Sequence, residues 1–385
     1  MYLCVLFVFS IDSDMLAWQK LFRAGNLLYM ALLLLLLRYC IIVPLYDRLG
    51  FESCLSAGMY LVLVLSVLCI AAAGYAINDY FDIDTDSFNK PERVVVGKII
   101  APQTLINVYI ALNIVGIALS AWVGWQCVSY KLGFIHLLTA FLLWQYSYSW
   151  QRVPLWGNMV IAGLGCVLVL IPALFETELL YYAKDALAGA AVRALGYDES
   201  ALTQSPEAAA SGFSPTIWQY ILPYALFAFL LTLAREIVKD IEDYDGDRRT
   251  NYRTLPIVVG IGGARLAALI PLLLAVQFIV QFQLRQLLYA NFVAIVGALV
   301  LVLLPLLFLV WKLWQAQSEQ DFGQISRQLK WLTCAGLLYL PYLAVQLDKM
   351  PIKPIQKIEL PQEAAPDEQI IDFKIDTIVK TGEVE

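Results

Sequence analysis

Two stretches of this sequence concentrate oxygen donors at a spacing that would set them on one side of a helix. The first is Asn78-Asp79-Tyr80-Phe81-Asp82-Ile83-Asp84-Thr85-Asp86, where Asn78, Asp82 and Asp86 recur every fourth residue. The second runs from Arg235 to Asp247, and Asp240, Asp243 and Asp247 fall at i, i+3 and i+7. Residues so spaced are neighbours on a helical face. Like charges stacked there repel by a few tenths of a kcal/mol per pair, and by more when partly buried. Cations must offset that repulsion. Hard oxygen donors on two facing stripes suit Mg²⁺, which keeps some water and completes its shell with phosphate oxygens. Two such ions, with Mn²⁺ as a substitute, would balance roughly six carboxylates and a diphosphate together with the nearby Arg93, Arg152, Lys239, Arg248 and Arg249. Neither stretch follows the calcium-binding EF-hand loop. Asp84, Glu242 and Asp245 read as solvated neighbours of the stripes.

The elements that hold these residues are apolar. Of the 385 residues 60% are hydrophobic and only 15% charged, and the mean hydropathy is +0.69. A soluble domain has no use for so much apolar sequence, because its surface must stay wet. Between bunches of charge lie apolar runs of about 18–25 residues, the length a helix needs to cross the hydrocarbon core. Runs such as Leu32 to Leu37 do not alternate as barrel strands do. The expected fold is an all-α membrane protein of about nine transmembrane helices in one bundle, with an active-site cavity at the cytoplasmic side. The spans are Asn26–Pro44, Leu55–Ile77, Leu105–Trp125, Leu132–Trp150, Met159–Phe175, Ile217–Leu233, Ala264–Phe282, Leu288–Trp311 and Trp331–Leu347. The two acidic stretches close the second and the sixth of these.

Connections after the even-numbered spans carry Lys90, Arg93, Lys98, Arg152, Lys239, Arg248, Arg249, Arg253, Lys312 and Arg327, whereas the others hold few basic residues. The positive-inside rule puts the even connections, and both acidic stretches with them, in the cytoplasm. The chain then divides into an N-terminal segment 1–21, a membrane domain 22–347 with an external connection over about 176–215, and a polar tail 348–385. Within the external connection Ala186–Leu195 reads as a short helix and Ser205–Ser214 as loop. The tail is expected outside and poorly ordered. No basic region precedes the apolar residues 1–10, so a signal peptide is not expected. Seven scattered cysteines without CxxC spacing imply neither disulfides nor a metal site. The single histidine, His136, lies in an apolar run and reads as a packed residue. Arg38, at the end of a leucine run, either faces the interior to meet an acid or snorkels to the interface. No basic patch with interleaved aromatics suggests nucleic acid, and no protein partner is evident.

Asn78-Asp79-x-x-Asp82-x-x-x-Asp86, followed by Asn89-Lys90-Pro91-x-Arg93 and Gly97, resembles the first aspartate-rich motif of the UbiA-type intramembrane prenyltransferases. Asp240-Ile-Glu-Asp243-Tyr-Asp-Gly246-Asp247, with Thr254-Leu255-Pro256 downstream, resembles their second. A third segment, Tyr146-Ser147 through Arg152 to Gly157-Asn158, is similar to the close of that family's fourth span. The likeness runs from about Phe22 to Leu347. It departs from the family at Gln151, where lysine is frequent, at Asn251, where glycine is usual, and at Arg93-Val94, where Arg-Pro is usual. The resemblance implies Mg²⁺ held by Asn78, Asp82, Asp86, Asp243 and Asp247, with Asp79 and Asp240 assisting. It implies an isoprenyl diphosphate contacted by Arg93, Arg152, Lys239 and Arg248, and a pocket that includes Tyr80, Tyr146, Tyr148 and Asn158. The reaction so implied is transfer of the isoprenyl group to a lipophilic acceptor: a glyceryl-phosphate lipid, a quinone precursor or a related ring. An ion-coupled transporter that uses the acids as cation sites is the alternative. Transporter sites favour the bilayer midplane on broken helices, whereas these acids sit at span ends.

Overall fold

The computed structural model describes residues 13–48, 53, 55–84, 87, 94–127, 129–182, 206–250, 252–288 and 291–349. Each expected span falls on one of nine helical rods, preceded by a short helix α1 (Ser13–Leu21). Ala24–Leu37, a wide π turn Arg38–Ile42 and Val43–Arg48 run on as the first rod, α2. Then follow α3 (Ala57–Phe81), α4 (Pro102–Gln126), α5 (Tyr130–Tyr148) and α6 (Trp156–Tyr182). The long α7 (Pro206–Glu242) leads through a six-residue helix α8 (Tyr244–Arg249) to α9 (Leu255–Leu288). The last two rods are α10, built from Phe292–Ala298, Leu299–Leu303 and Leu304–Gln315, and α11 (Glu319–Lys349).

Seven of the rods are long and apolar enough to cross a membrane; α5 and α11 are not among the seven. Lys131, His136 and Gln145 dilute α5, and charged residues fill the first turns of α11. The chain is thus an all-helical, multi-pass membrane protein. Helix α7 packs against α6, α9 and α11, and α3 against α4 and α5, so the two acid-bearing helices each anchor one half of the bundle. Three apolar clusters seal these contacts. A fourth, around Ala17, Leu21, Ala76 and Leu105, seats α1 beside the acidic end of α3.

Two expectations change and one falls outside the described residues. Residues 206–214 of the expected loop Ser205–Ser214 are helical: α7 starts at Pro206, where proline at the first helical position and the Ala208–Ala210 run favour a helix. Residues 183–205, which include the short helix expected at Ala186–Leu195, lie outside the described residues, as do residues 1–12 and 350–385. Finally, neither acidic stripe stays on one continuous helix. Helix α3 ends at Phe81 with Asp82 as its C-cap, and α7 ends at Glu242 with Asp243 at the N-cap of α8. A helix C-terminus carries the negative end of the macrodipole and disfavours further acids there. Starting a new helix at Asp243 puts Asp245 and Asp247 in a first turn, where the dipole favours them. Pro223 lies inside α7 without breaking it.

Candidate active site at the acidic helix ends

One cavity of about 1070 Å³ opens between the two acid-bearing helices. Asn78, Asp79 and Asp82 line its mouth from α3, and Glu236, Lys239, Asp240, Asp243 and Asp247 line it from the end of α7 and from α8. Below the mouth the wall is mostly apolar, with Ile70, Leu143, Leu164, Leu168 and Leu231 among its residues. A charged rim over an apolar shaft fits an amphiphilic anion.

The third sequence segment ties the two acid clusters together. Gln151 Nε2 donates to Asp82 Oδ1 at 2.8 Å and to the Ser147 carbonyl at 3.1 Å. Seven residues on, Asn158 Nδ2 donates to Asp240 Oδ2 at 2.9 Å. The chain between them turns tightly, because a Cβ at Gly157 would stand 2.8 Å from the Trp150 carbonyl oxygen and 3.0 Å from Gln151 Cα. Glycine here lets the start of α6 press against the turn that aims Gln151. Each amide thus presents a donor to one acid, fixing its rotamer without adding charge.

Other partners orient the remaining acids. Asn78 Nδ2 donates to Asp82 Oδ2 one turn away. The Thr254 hydroxyl donates to Asp247 Oδ2 at 3.0 Å, which accounts for the Thr-Leu-Pro segment downstream. Burial, and then the neighbouring Asp243, push the Asp247 carboxyl up to about 7 in spite of that hydrogen bond. A carboxyl raised by burial and like charge regains its ionised form when a cation settles beside it.

Among the described residues, no three Asp, Glu, His or Cys side chains converge closely enough to cage an ion unaided. The donor set nonetheless fits a hard divalent ion that keeps water and phosphate in its shell, since Asn78, Asp79, Asp82, Glu236, Asp240, Asp243 and Asp247 all offer side-chain oxygens at the rim. Asn78, Asp82, Asp243 and Asp247 all line that rim and could hold such an ion. Asp86 and Arg93 lie outside the described residues.

The structure sorts the rest of the expected site. Asp79, Lys239, Asp240 and Tyr146 line the cavity. Arg152 does not; it stacks on Tyr252, 4.7 Å from the ring centroid, and Tyr252 does line it. Arg248, Tyr80 and Tyr148 also stand away from the lining. Tyr148 is exposed and stacks on Trp144 with centroids 5.4 Å apart.

Sequence reasoning missed Arg23. Its guanidinium meets Asp79 Oδ1 at 3.0 Å and lies 4.7 Å over the Tyr75 ring. Arg23 adopts φ 49°, a left-handed conformation that costs about 1–2 kcal/mol without glycine. That backbone stands between α1, which packs beside the acidic end of α3, and α2, and Arg23 lines the cavity there. The adjoining Asn26 donates to the Tyr75 hydroxyl at 3.2 Å and accepts from Lys330 at 2.5 Å, so a second basic side chain from α11 reaches the same mouth. Only the basic pair Lys20 and Arg23 before the first span hinted at this role.

A helical membrane bundle with an acid-rimmed, apolar-walled cavity has the form suited to a lipid-tailed anion. The chain matches the UbiA prenyltransferase family over residues 49–332 and belongs to it; it is a membrane prenyltransferase. It is 29% identical over 294 residues to the digeranylgeranylglyceryl phosphate synthase of Metallosphaera sedula, covering 76% of this chain and 85% of that protein. The enzyme of the same name from Ignicoccus hospitalis is 32% identical over 204 residues, covering 53% of this chain and 55% of that protein. In three dimensions the chain resembles a solved digeranylgeranylglyceryl phosphate synthase at a TM-score of 0.55 and 18% identity, over 87% of this chain and all of that one.

Proposed function

We propose that this chain transfers an isoprenyl group, geranylgeranyl by the example of its relatives, from the diphosphate to a glyceryl-phosphate lipid. The observation that carries this reading is the single cavity on which both acid clusters converge, joined through Gln151 and Asn158 and continued by an apolar shaft. The rim would hold the diphosphate and the shaft its tail, open to acceptors that arrive from the lipid. The names of the relatives favour a glyceryl-phosphate acceptor over a quinone precursor.

Magnesium held by Asn78, Asp82, Asp243 and Asp247, with Asp86 adjoining, would supply positive charge to the leaving diphosphate. Two ions suit the number of acids, and Mn²⁺ is a plausible substitute. Lys239 and Arg23 add fixed cations at the rim, where charge develops as the allylic C–O bond breaks and its electron pair leaves with the diphosphate. The acceptor hydroxyl then bonds to C1 and releases its proton. Asp79 and Asp240 serve by holding Arg23 and Asn158 in place. Tyr146 stands at the shaft's upper wall, where its ring can face the developing cation. The loop charges support a cytoplasmic side for this end of the bundle and an outside position for the tail.

The test is Mg²⁺-dependent release of pyrophosphate from geranylgeranyl diphosphate by purified protein, with geranylgeranylglyceryl phosphate as acceptor and product mass as readout. The expected product carries one added isoprenyl chain, and chelation of the metal stops its formation. Ion flux across liposomes, with no diphosphate consumed for any acceptor, would instead establish the transporter reading.

A further inference from the structure

The shaft has a floor, and four helices set its depth independently. On α5 the cavity face runs Ser147, Tyr146, Leu143, Thr139 and His136, and no residue beyond His136 reaches the cavity. The next turn on that face is Leu132, which is packed into an apolar cluster with Leu63, Val123 and Phe175. Val67 is the deepest lining residue on α3, Ala228 on α7 and Ile171 on α6. At a rise of 1.5 Å per residue, Ser147 to His136 and Asn78 to Val67 each span about 16 Å. Asp240 to Ala228 spans about 18 Å, and Asn158 to Ile171 about 20 Å.

His136 is the one histidine in the chain, and it is no ordinary apolar filler. It is 1% exposed. Its Nδ1 is held by Ser120 Oγ at 2.8 Å, and its ring meets Phe175 edge-on with centroids 6.3 Å apart. Two contacts on different helices therefore fix the imidazole as a rigid wall. Its Nε2 has no hydrogen-bond partner among the described residues. Five residues beyond Ile171 on α6, Glu176 pairs with Arg38 of α2, so a polar layer closes the bundle about 7 Å below the floor.

We infer that His136, with Val67 and Ile171, sets the longest isoprenyl chain the enzyme accepts. This inference rests on the prenyl-diphosphate reading given above. Each isoprene unit adds four bonds to the main chain, about 5 Å when extended at roughly 1.2 Å per bond. A tail of three to four units, about 14–19 Å, matches the roughly 16–20 Å that the four helices span, and a fifth unit, reaching about 24 Å, collides with His136.

The experiment compares farnesyl, geranylgeranyl and geranylfarnesyl diphosphates, with three, four and five units, in wild type, His136→Ala and Val67→Phe. Two readouts are taken, kcat/KM by product mass and thermal stabilisation by each diphosphate, so that binding is measured even where turnover is lost. His136→Ala is expected to raise the five-unit donor relative to the four-unit donor at least tenfold. Val67→Phe, which narrows the floor from α3, is expected to favour the three-unit donor by a similar factor. Donor ratios within twofold of wild type in every variant that folds would overturn the floor and leave the prenyltransferase reading intact. Wild type that neither binds nor consumes any of the three would instead remove that reading, and the inference with it.

Discussion

The two polar ends of the bundle handle buried charge in opposite ways. Below the cavity floor, Arg38 and Glu176 form a closed pair, 3% and 1% exposed. Arg38 NH2 donates to Ser53 Oγ at 2.9 Å and to the Leu55 carbonyl, the Leu55 amide donates to Glu176 Oε2 at 2.9 Å, and the guanidinium lies 4.5 Å over the Tyr60 ring. One positive charge meets one negative charge with no cavity between them. At the other end, Asp79, Asp82, Glu236, Asp240, Asp243 and Asp247 share one cavity rim with Arg23, Arg235, Lys239 and Lys330. Two of those cations are already committed, Arg23 to Asp79 and Arg235 to Glu236 at 2.6 Å. The first end stabilises a fold. The second keeps acids in excess for a cation that comes with substrate.

The sharpest way to break this contrast is to remove acid from each end. Asp82→Ala and Asp247→Ala should each lower turnover by about 10³-fold or more, equivalent to about 4 kcal/mol of transition-state stabilisation. The melting temperature of the metal-free protein should hold steady or rise, because each change relieves like-charge repulsion. Glu176→Ala should do the reverse. It leaves Arg38 buried without its partner, a change that costs about 3–5 kcal/mol, and protein that remains folded should keep near-normal kcat. Replacing both residues, as Arg38→Met with Glu176→Gln, should recover most of that loss. Normal turnover in Asp82→Ala, or an unaltered melt in Glu176→Ala, would erase the distinction between the two ends.

A smaller effect is expected from the amides that tie the acids together. Asn158→Ala and Gln151→Ala remove neutral donors, not ligands, and groups that orient metal ligands typically contribute 10–100-fold. The two should differ in which acid they release, Asp240 for Asn158 and Asp82 for Gln151. Raising Mg²⁺ should therefore restore part of the Gln151→Ala loss and little of the Asn158→Ala loss.

How legible all this was in the sequence differs by kind of feature. The acids could be read because period-four spacing survives into any local helix, and the rods because hydrocarbon thickness dictates their length. Which face a residue takes was harder. Tyr146 and Tyr148 are two positions apart, about 200° around a helix, so only one can face the shaft, and the period Tyr146, Leu143, Thr139, His136 decides which. The Arg38 alternative was resolved only by Glu176, which lies on α6 at the start of what reads as an external connection. The paired amides gave no composition signal at all, since Gln151 and Asn158 matter through partners on other helices.

Arg23 illustrates the remaining gap. Nothing in a single sequence says that a residue between two helices will take φ 49°, so its approach to Asp79 was invisible. Arg23→Gly separates the backbone from the guanidinium. Glycine accepts the left-handed conformation, which relieves about 1–2 kcal/mol, while its freer unfolded chain takes back about 0.5–1 kcal/mol. Net stability should change by no more than about 1.5 kcal/mol. With the cation gone, the KM for the prenyl diphosphate should rise several-fold, and Arg23→Lys, which restores charge in a strained backbone, should recover part of it. If Arg23→Gly left KM unmoved, the ion pair with Asp79 would belong with the Arg38–Glu176 pair as a fastening of the fold. If KM rises while stability holds, the strained turn exists to bring positive charge to the acidic end.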